Sequence, residues 1–134
     1  MTQDELKAID LPAAKNCILF LWATHKFIWD AKELLDCWGF DYCCMFVWDK
    51  QIIGMGGLIR LQCEFCLIGL KGKPIFKDIH DIRDLISEQK RDHSRKPETF
   101  YQLVDKLCIG RKLDYFSRTQ RESWSSYGNE IRCF

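Results

Sequence analysis

Several features that would assign a protein to a class directly are missing from this chain of 134 residues. The net charge is only +1, so no overall electrostatic field attracts the chain to nucleic acid. There is no apolar run of about 18 residues and no signal peptide, which predicts neither a membrane span nor export, and we expect a cytoplasmic protein. Walker and GxGxxG loops, which bind the phosphates of nucleotides, are absent as well. The remaining composition, 47% hydrophobic and 29% charged, is that of a globular domain.

The eight cysteines do not form a zinc-binding pattern. Cys63 and Cys66 make the one CxxC motif, and neither a second pair nor histidines at matching spacing accompany it. We therefore expect no metal site, and thiols that stay reduced inside the cell.

The order of hydrophobic patterns predicts one domain, residues 1–134, of the α/β class, with a mainly parallel sheet and flanking helices. Strands are predicted at 17–22, 40–48, 65–70, 85–88 and 112–116, and helices at 2–9, 26–38 and 98–108. The first strand, helix and strand predict a right-handed parallel crossover. In such sheets ligands bind beyond the carboxyl ends of the strands.

The segment His93-Ser94-Arg95-Lys96-Pro97 precedes the clearest helix pattern. Pro97 suits the first turn of that helix, and Gly110 is predicted to end it. One buried stripe is formed by Phe100, Leu103, Val104 and Leu107. The cations Arg91, Arg95 and Lys96 would then lie at the positive end of that helix, where anions bind. From spacing alone, a solvated basic turn before an ordinary helix also explains them.

Seven segments follow one another along the chain: CILFLW, CWGF, VWDK, CLIGLKGKP, HSRKPETFY, KLDYFSR and YGNE. In this order and spacing they resemble the MT-A70 family of adenine methyltransferases, over about 1–130. The family includes messenger-RNA N(6)-methyladenosine writers and bacterial and phage DNA methyltransferases, and HSRKP is more similar to the latter. The resemblance implies a Rossmann-like fold that binds S-adenosylmethionine and transfers its methyl group to the exocyclic amine of adenine.

The resemblance also implies a set of cofactor-binding residues. Lys96 would face the carboxylate of the methionine moiety, and Arg118 would reach the ribose hydroxyls. Asn129 and Glu130 match the pair that holds the ribose and the adenine edge. Asp114 ends the strand KLDYF, where ligands bind such sheets. Without the resemblance, Asp114 and Glu130 would be interpreted as surface carboxylates and Arg118 as a surface cation.

The main departure from the family is its catalytic loop, Asp-Pro-Pro-Trp, which occurs nowhere in these residues. We therefore assign no catalytic residue. The strand that carries this loop would be missing too, and we expect a truncated form in which Met1 is an internal methionine of a longer enzyme. Gln120 stands where other members can have His, so that contact stays open.

Three further expectations follow. Lys71, Arg91 and Arg95 are predicted to contact nucleic acid, DNA rather than RNA. A non-catalytic family member that binds nucleic acid or a partner is the alternative function, and a small nucleotide-binding protein is a third. Loss of the catalytic strand predicts that the strands at 17–22 and 112–116 either pair directly or leave an edge that favours self-association or a partner subunit.

Overall fold

The computed structural model describes residues 3–8, 15–77, 81–91 and 96–108, and the backbone of two strands at 112–115 and 124–127. Its α-helices are α1 (Gln3–Lys7), α2 (Ile28–Cys37) and α3 (Glu98–Leu107), and a 3-10 turn, His25–Phe27, leads into α2. The strands are β1 (Cys17–Ala23), β2 (Asp41–Asp49), β3 (Cys63–Lys71), β4 (Leu85–Ser87), β5 (Lys112–Tyr115) and β6 (Trp124–Tyr127). Among the described residues, no helix has the length and apolar character needed to cross a membrane.

The main sheet is mixed, with the strand order β1-β3-β2-β4. Strand β3 is antiparallel to both β1 and β2, and β2 is parallel to β4. The prediction of a mainly parallel sheet is therefore wrong. Residues 50–62 contain no helix that could carry the chain across the sheet, so β3 turns back against β2. An apolar run indicates that a strand is covered on both faces, but it carries no information on direction.

The predicted crossover from β1 through α2 to β2 is present, although β3 lies between its two strands. Helix α2 ends where the sequence predicts, because Gly39 adopts a positive φ of 84°. The backbone N–H groups of Gly39 and Phe40 donate to the carbonyls of Asp36 and Leu35. This is the paired hydrogen-bonding pattern of a glycine helix stop.

Both faces of the sheet are covered, as the apolar strands predict. On one face, α3 packs over a core of mixed aromatic and aliphatic side chains, whose buried members are Phe46, Trp48, Cys66, Ile68, Ile86, Phe100, Val104 and Cys108. On the other face, α2 packs over a smaller core whose buried members are Ala23, Ala31, Leu35, Phe40 and Leu67. The two faces are called the α3 face and the α2 face below.

The predicted strand at 112–116 is observed as β5, which pairs in parallel with β6 in a separate two-stranded sheet. Strand β6 lies in a stretch where the sequence shows no strong period, and it was not predicted. Within the described part of the chain, β1 pairs with β3 alone, so the direct pairing of β1 with β5 is not seen there. The expected self-association stays a prediction.

Candidate functional site

The candidate site lies at one edge of the main sheet, where three strands end. Strands β1, β2 and β4 point the same way, because β1 and β2 both oppose β3 and β4 is parallel to β2. Their carboxyl ends therefore meet the amino end of β3, near which α3 also begins. This is the edge at which open α/β sheets bind ligands.

Glu64, near the start of β3, is the charged residue that the described structure buries, with 8% of its surface exposed. Its Oε1 lies 2.5 Å from Nζ of Lys96, just before α3. Its Oε2 lies 3.2 Å from Nζ of Lys50, just after β2. Both lysine side chains are about one-fifth exposed. One nearly buried carboxylate therefore holds two cations at the end of the sheet, and we call these three residues the Glu64 cluster.

Charge balance keeps Glu64 ionised. Burial alone would raise its pKa, but the ion pairs with Lys96 and Lys50 outweigh burial and lower the pKa below the ordinary value of 4.5. The thiol of Cys66, two residues further along β3, has a raised pKa because it is fully buried. Of these two groups, the carboxylate is the one that carries charge near neutral pH.

An aromatic floor lies beneath the Glu64 cluster. Nζ of Lys96 lies 5.1 Å from the ring centroid of Trp22, and Nζ of Lys50 lies 5.8 Å from that of Trp48. The two indoles meet edge to face at 5.9 Å, and Trp22 also packs against Phe100 at 5.0 Å. The indole Nε1 of Trp22 is buried and has no hydrogen-bond partner among the residues that the structure describes. Such an unpaired donor is uncommon in a protein interior and marks a place where a ligand atom could accept a hydrogen bond.

The start of α3 differs from its sequence-based description. Pro97 has φ −66° and ψ 142°, so it caps the helix from outside the first turn. The carboxylate of Glu88 accepts hydrogen bonds from the backbone N–H groups of Glu98 and Thr99 and from the Thr99 hydroxyl. The positive helix end therefore already carries an anion, which comes from the protein itself. Nothing in the sequence around Pro97 indicates this, because Glu88 lies ten residues before Glu98 and follows a different strand.

The predicted cation Arg91 lies close to Lys96. Its Nη2 donates to the backbone carbonyl of Lys96 at 2.7 Å and lies 3.6 Å from the carboxylate of Glu98. Arg91 thus braces the segment that presents Lys96 to Glu64.

Lys71 lies at the opposite edge of the sheet. It ends β3, seven residues after Glu64, which corresponds to roughly 23 Å along an extended strand. Its Nζ lies 5.6 Å from the ring centroid of Phe40. The structure therefore brings Arg91 and Lys96 together and leaves Lys71 apart from them.

The other predicted site residues cannot be described by their contacts. Arg95, Arg118, Asn129 and Glu130 lie outside the described residues, and Asp114 is described by its backbone alone, on β5. The predicted helix stop at Gly110 also lies outside them; α3 itself ends at Leu107.

The two cysteines of the CxxC motif lie in one strand and do not face each other. Cys63 and Cys66 both lie in β3, and residues three apart in a strand point to opposite faces. No three His, Cys, Asp or Glu side chains in the described part of the chain are close enough to share a metal ion.

Comparison with known proteins identifies the family of the chain. A sequence model of the MT-A70 family matches residues 1–130. The chain belongs to the MT-A70 family. Several relatives carry names that specify adenine methylation, among them N(6)-adenosine-methyltransferases of plants and animals.

Individual MT-A70 relatives come from distant organisms. The type II methyltransferase M.MunI of a Mycoplasma species is 33% identical over 132 residues, which are 95% of this chain and 57% of that protein. The human catalytic subunit METTL3 of N(6)-adenosine-methyltransferase is 30% identical over 144 residues, which are 98% of this chain and 25% of that protein. A putative N(6)-adenosine-methyltransferase of Medicago truncatula is 30% identical over 143 residues, 98% of this chain and 23% of that protein. The chain thus spans just over half of the bacterial relative and about a quarter of the eukaryotic ones.

Sequence analysis selected Lys96 for the MT-A70 site but missed its partners. Glu64, Lys50, Trp22 and Glu88 were not among the candidates. A signal for Glu64 exists, since it is the single charged residue in the otherwise apolar segment CEFCLIGL. Lys50 and Glu88 carry no such signal, because their roles depend on which strands are neighbours.

Proposed function

We propose that this chain is part of an S-adenosylmethionine-dependent adenine N(6)-methyltransferase that acts on DNA. The observation that carries the proposal is the position of Lys96. A lysine of the family's HSRKP-type segment lies, largely buried, at the carboxyl edge of the sheet in a protein whose family model matches residues 1–130. DNA is favoured over RNA because the segment HSRKP is more similar to that of the bacterial and phage DNA methyltransferases. The type II methyltransferase M.MunI among the relatives also favours DNA.

The residues at this edge fit a cofactor that carries a carboxylate and hydrogen-bonding groups. Lys96 supplies a cation for the carboxylate of the methionine moiety, and Trp22 supplies a buried N–H that has no hydrogen-bond partner among the described residues. We propose the same cofactor role for Asp114, Arg118, Asn129 and Glu130, on the family resemblance. When bound, S-adenosylmethionine supplies an activated methyl group on a positively charged sulfur.

The transfer itself requires groups that these residues do not include. The exocyclic amine of adenine is a poor nucleophile, because its lone pair is delocalised into the ring. An enzyme must accept the hydrogens of that amine and hold the base in line with the methyl group. The family's Asp-Pro-Pro-Trp loop does this, and it does not occur in the 134 residues. No catalytic residue is therefore assigned here.

Nucleic-acid binding is proposed through phosphate contacts of Arg91 and Arg95, with Lys71 as a separate contact at the far edge. Such contacts are largely independent of sequence, and they weaken as the salt concentration rises because the release of counterions from DNA becomes less favourable. Affinity for a DNA duplex that stays constant between low and moderate salt would contradict this assignment.

The cofactor assignment is tested by isothermal titration calorimetry with S-adenosylmethionine. Lys96→Ala is expected to weaken binding by about 1–3 kcal/mol, the range for loss of a charged hydrogen bond. Lys32→Gln is the matched control, because Lys32 makes an exposed ion pair on α2. Equal affinities of the parent and Lys96→Ala would remove Lys96 from the site.

The absence of Asp-Pro-Pro-Trp supports a second candidate function, a non-catalytic module that binds nucleic acid or an active partner. The coding sequence upstream of the Met1 codon separates the two. An in-frame run that encodes Asp-Pro-Pro-Trp supports part of an enzyme. DNA binding by the chain without such a run upstream supports the module.

A further inference from the structure

Glu64 in the Glu64 cluster has two counter-ions. Each carboxylate oxygen of Glu64 has its own lysine, at 2.5 Å for Lys96 and 3.2 Å for Lys50. Removing one partner from a buried ion pair is costly mainly because the remaining charge is left unpaired. With two lysines present, either one can leave and Glu64 still has a counter-ion.

The two lysines are attached to different parts of the fold. Lys50 directly follows β2, whose last residue pairs with β3. The backbone N–H of Lys50 donates to the carbonyl of Gln62, and the carbonyl of Lys50 accepts from the backbone N–H of Lys90. Lys96 precedes α3, and its carbonyl is held by Arg91. Lys50 is therefore tied into the sheet edge on both sides, whereas Lys96 belongs to the segment that leads into the helix.

We propose that Lys50 is a positioning residue that keeps Glu64 paired while Lys96 exchanges Glu64 for an anionic ligand. The identity of that ligand, the carboxylate of S-adenosylmethionine, rests on the proposed function. The counter-ion role of Lys50 rests on the geometry of the Glu64 cluster alone. Glu64 acts in this arrangement as an internal stand-in anion that holds Lys96 in place until the ligand arrives.

The groups that surround Glu64 allow this exchange without a proton. From β2 and its end come Lys50 and the uncharged Trp48; from β1 comes Trp22, and from the start of α3 comes Lys96. The thiol of Cys66 is on the same strand. The carboxylate of Glu88, on the segment after β4, is held by the first N–H groups of α3, and His25 stacks on the neighbouring Phe65. When Lys96 turns to a ligand, Lys50 is thus the counter-ion that remains.

The binding experiment uses S-adenosylmethionine and calorimetry in buffers of different ionisation enthalpy. For the parent, Lys50→Arg and Lys32→Gln, binding is expected without proton uptake and with an affinity that stays flat between about pH 6 and pH 8. In Lys50→Gln, release of Lys96 leaves the Glu64 carboxylate without a counter-ion, so Glu64 must take up a proton. Its affinity should then fall as pH rises, by up to about tenfold per pH unit. Weaker binding of Lys50→Gln without proton uptake, or unchanged binding, would overturn the proposal.

A ligand-free experiment tests the same role of Lys50 even if S-adenosylmethionine does not bind. Urea unfolding is compared for Lys50→Gln, Lys96→Gln and the double variant. Each single variant leaves Glu64 one lysine, so the double variant is expected to lose more stability than the sum of the two. Adding Glu64→Gln to the double variant should restore stability. Additive losses would overturn the counter-ion role, whereas failure of the parent to bind S-adenosylmethionine would overturn only the proposed function.

Discussion

The two faces of the main sheet are built from the same strands but differ in chemistry. On the α2 face, aliphatic side chains around the fully buried Leu35 close the interior. On the α3 face, aromatic rings pack among the aliphatic side chains, and at its carboxyl edge lie the Glu64 cluster and an indole N–H without a hydrogen-bond partner among the described residues. Close apolar packing serves stability, whereas buried charge and an unsatisfied donor add little to it. From this comparison we expect a ligand to bind on the α3 face rather than on the α2 face.

The largest expected effect is on the α2 face. Leu35→Ala removes a side chain with no exposed surface and should destabilise the protein by about 2–5 kcal/mol, because a cavity forms beneath the sheet. Urea unfolding measures the loss. The affinity for S-adenosylmethionine of the folded fraction should not change, and a selective loss of affinity would show that the two faces are not separable.

A somewhat smaller loss is expected from Gly69→Ala, also on the α2 face. A β-carbon at Gly69 would lie 2.9 Å from both Cγ and Cδ1 of Leu35, closer than such contacts allow. The side chain of Leu35 would have to shift, and overpacking of this kind costs about 1–3 kcal/mol. Thermal unfolding measures the change. A variant as stable as the parent would show that Leu35 is more loosely packed than its burial indicates.

On the α3 face, Glu88→Ala removes the anion at the start of α3 and should cost about 0.5–2 kcal/mol, as for other lost helix caps. Burial would raise the pKa of Glu88, but hydrogen bonds from Thr99 and Glu98 outweigh it and lower the pKa below 4.5. A carboxyl group whose pKa is lowered by folding stabilises the fold at pH values above its unfolded-state pKa. This stabilisation is lost as the pH falls through the folded-state pKa. The difference in unfolding free energy between parent and variant should therefore shrink below about pH 4.5. A difference that grows on acidification would contradict the assignment.

The smallest effect is expected from Lys32→Gln. Lys32 pairs with Asp36 one turn further along α2, and both side chains are about half exposed. Exposed pairs of this spacing contribute about 0.3–0.5 kcal/mol. Urea unfolding at low and high salt should show a small difference that salt removes. A loss above that range would mean that the pair supports more than the helix surface.

The parts of this structure that sequence predicts are those fixed by neighbours along the chain. The end of α2 follows from Gly39, because few residues tolerate a positive φ, and the buried stripe of α3 follows from helical spacing. The direction of β3 did not follow, since an apolar run is the same in either direction. The pairing of Lys96 with Glu64, 32 residues away, depends on that direction. The capping of α3 by Glu88 was missed as well, because Glu88 follows β4 and its approach to α3 depends on how the strands are arranged.

The central claim, that ligand binding belongs to the α3 face, is tested most directly by nuclear magnetic resonance of the tryptophan indole N–H groups. Trp22 lies beneath Lys96 with its N–H unpaired, whereas the N–H of Trp38 donates to the carbonyl of Leu6 near α2. On titration of the ¹⁵N-labelled chain with S-adenosylmethionine, the indole signal of Trp22 should shift and that of Trp38 should stay in place. A shift of Trp38 without Trp22, or no shift of either at saturating cofactor, would contradict the claim.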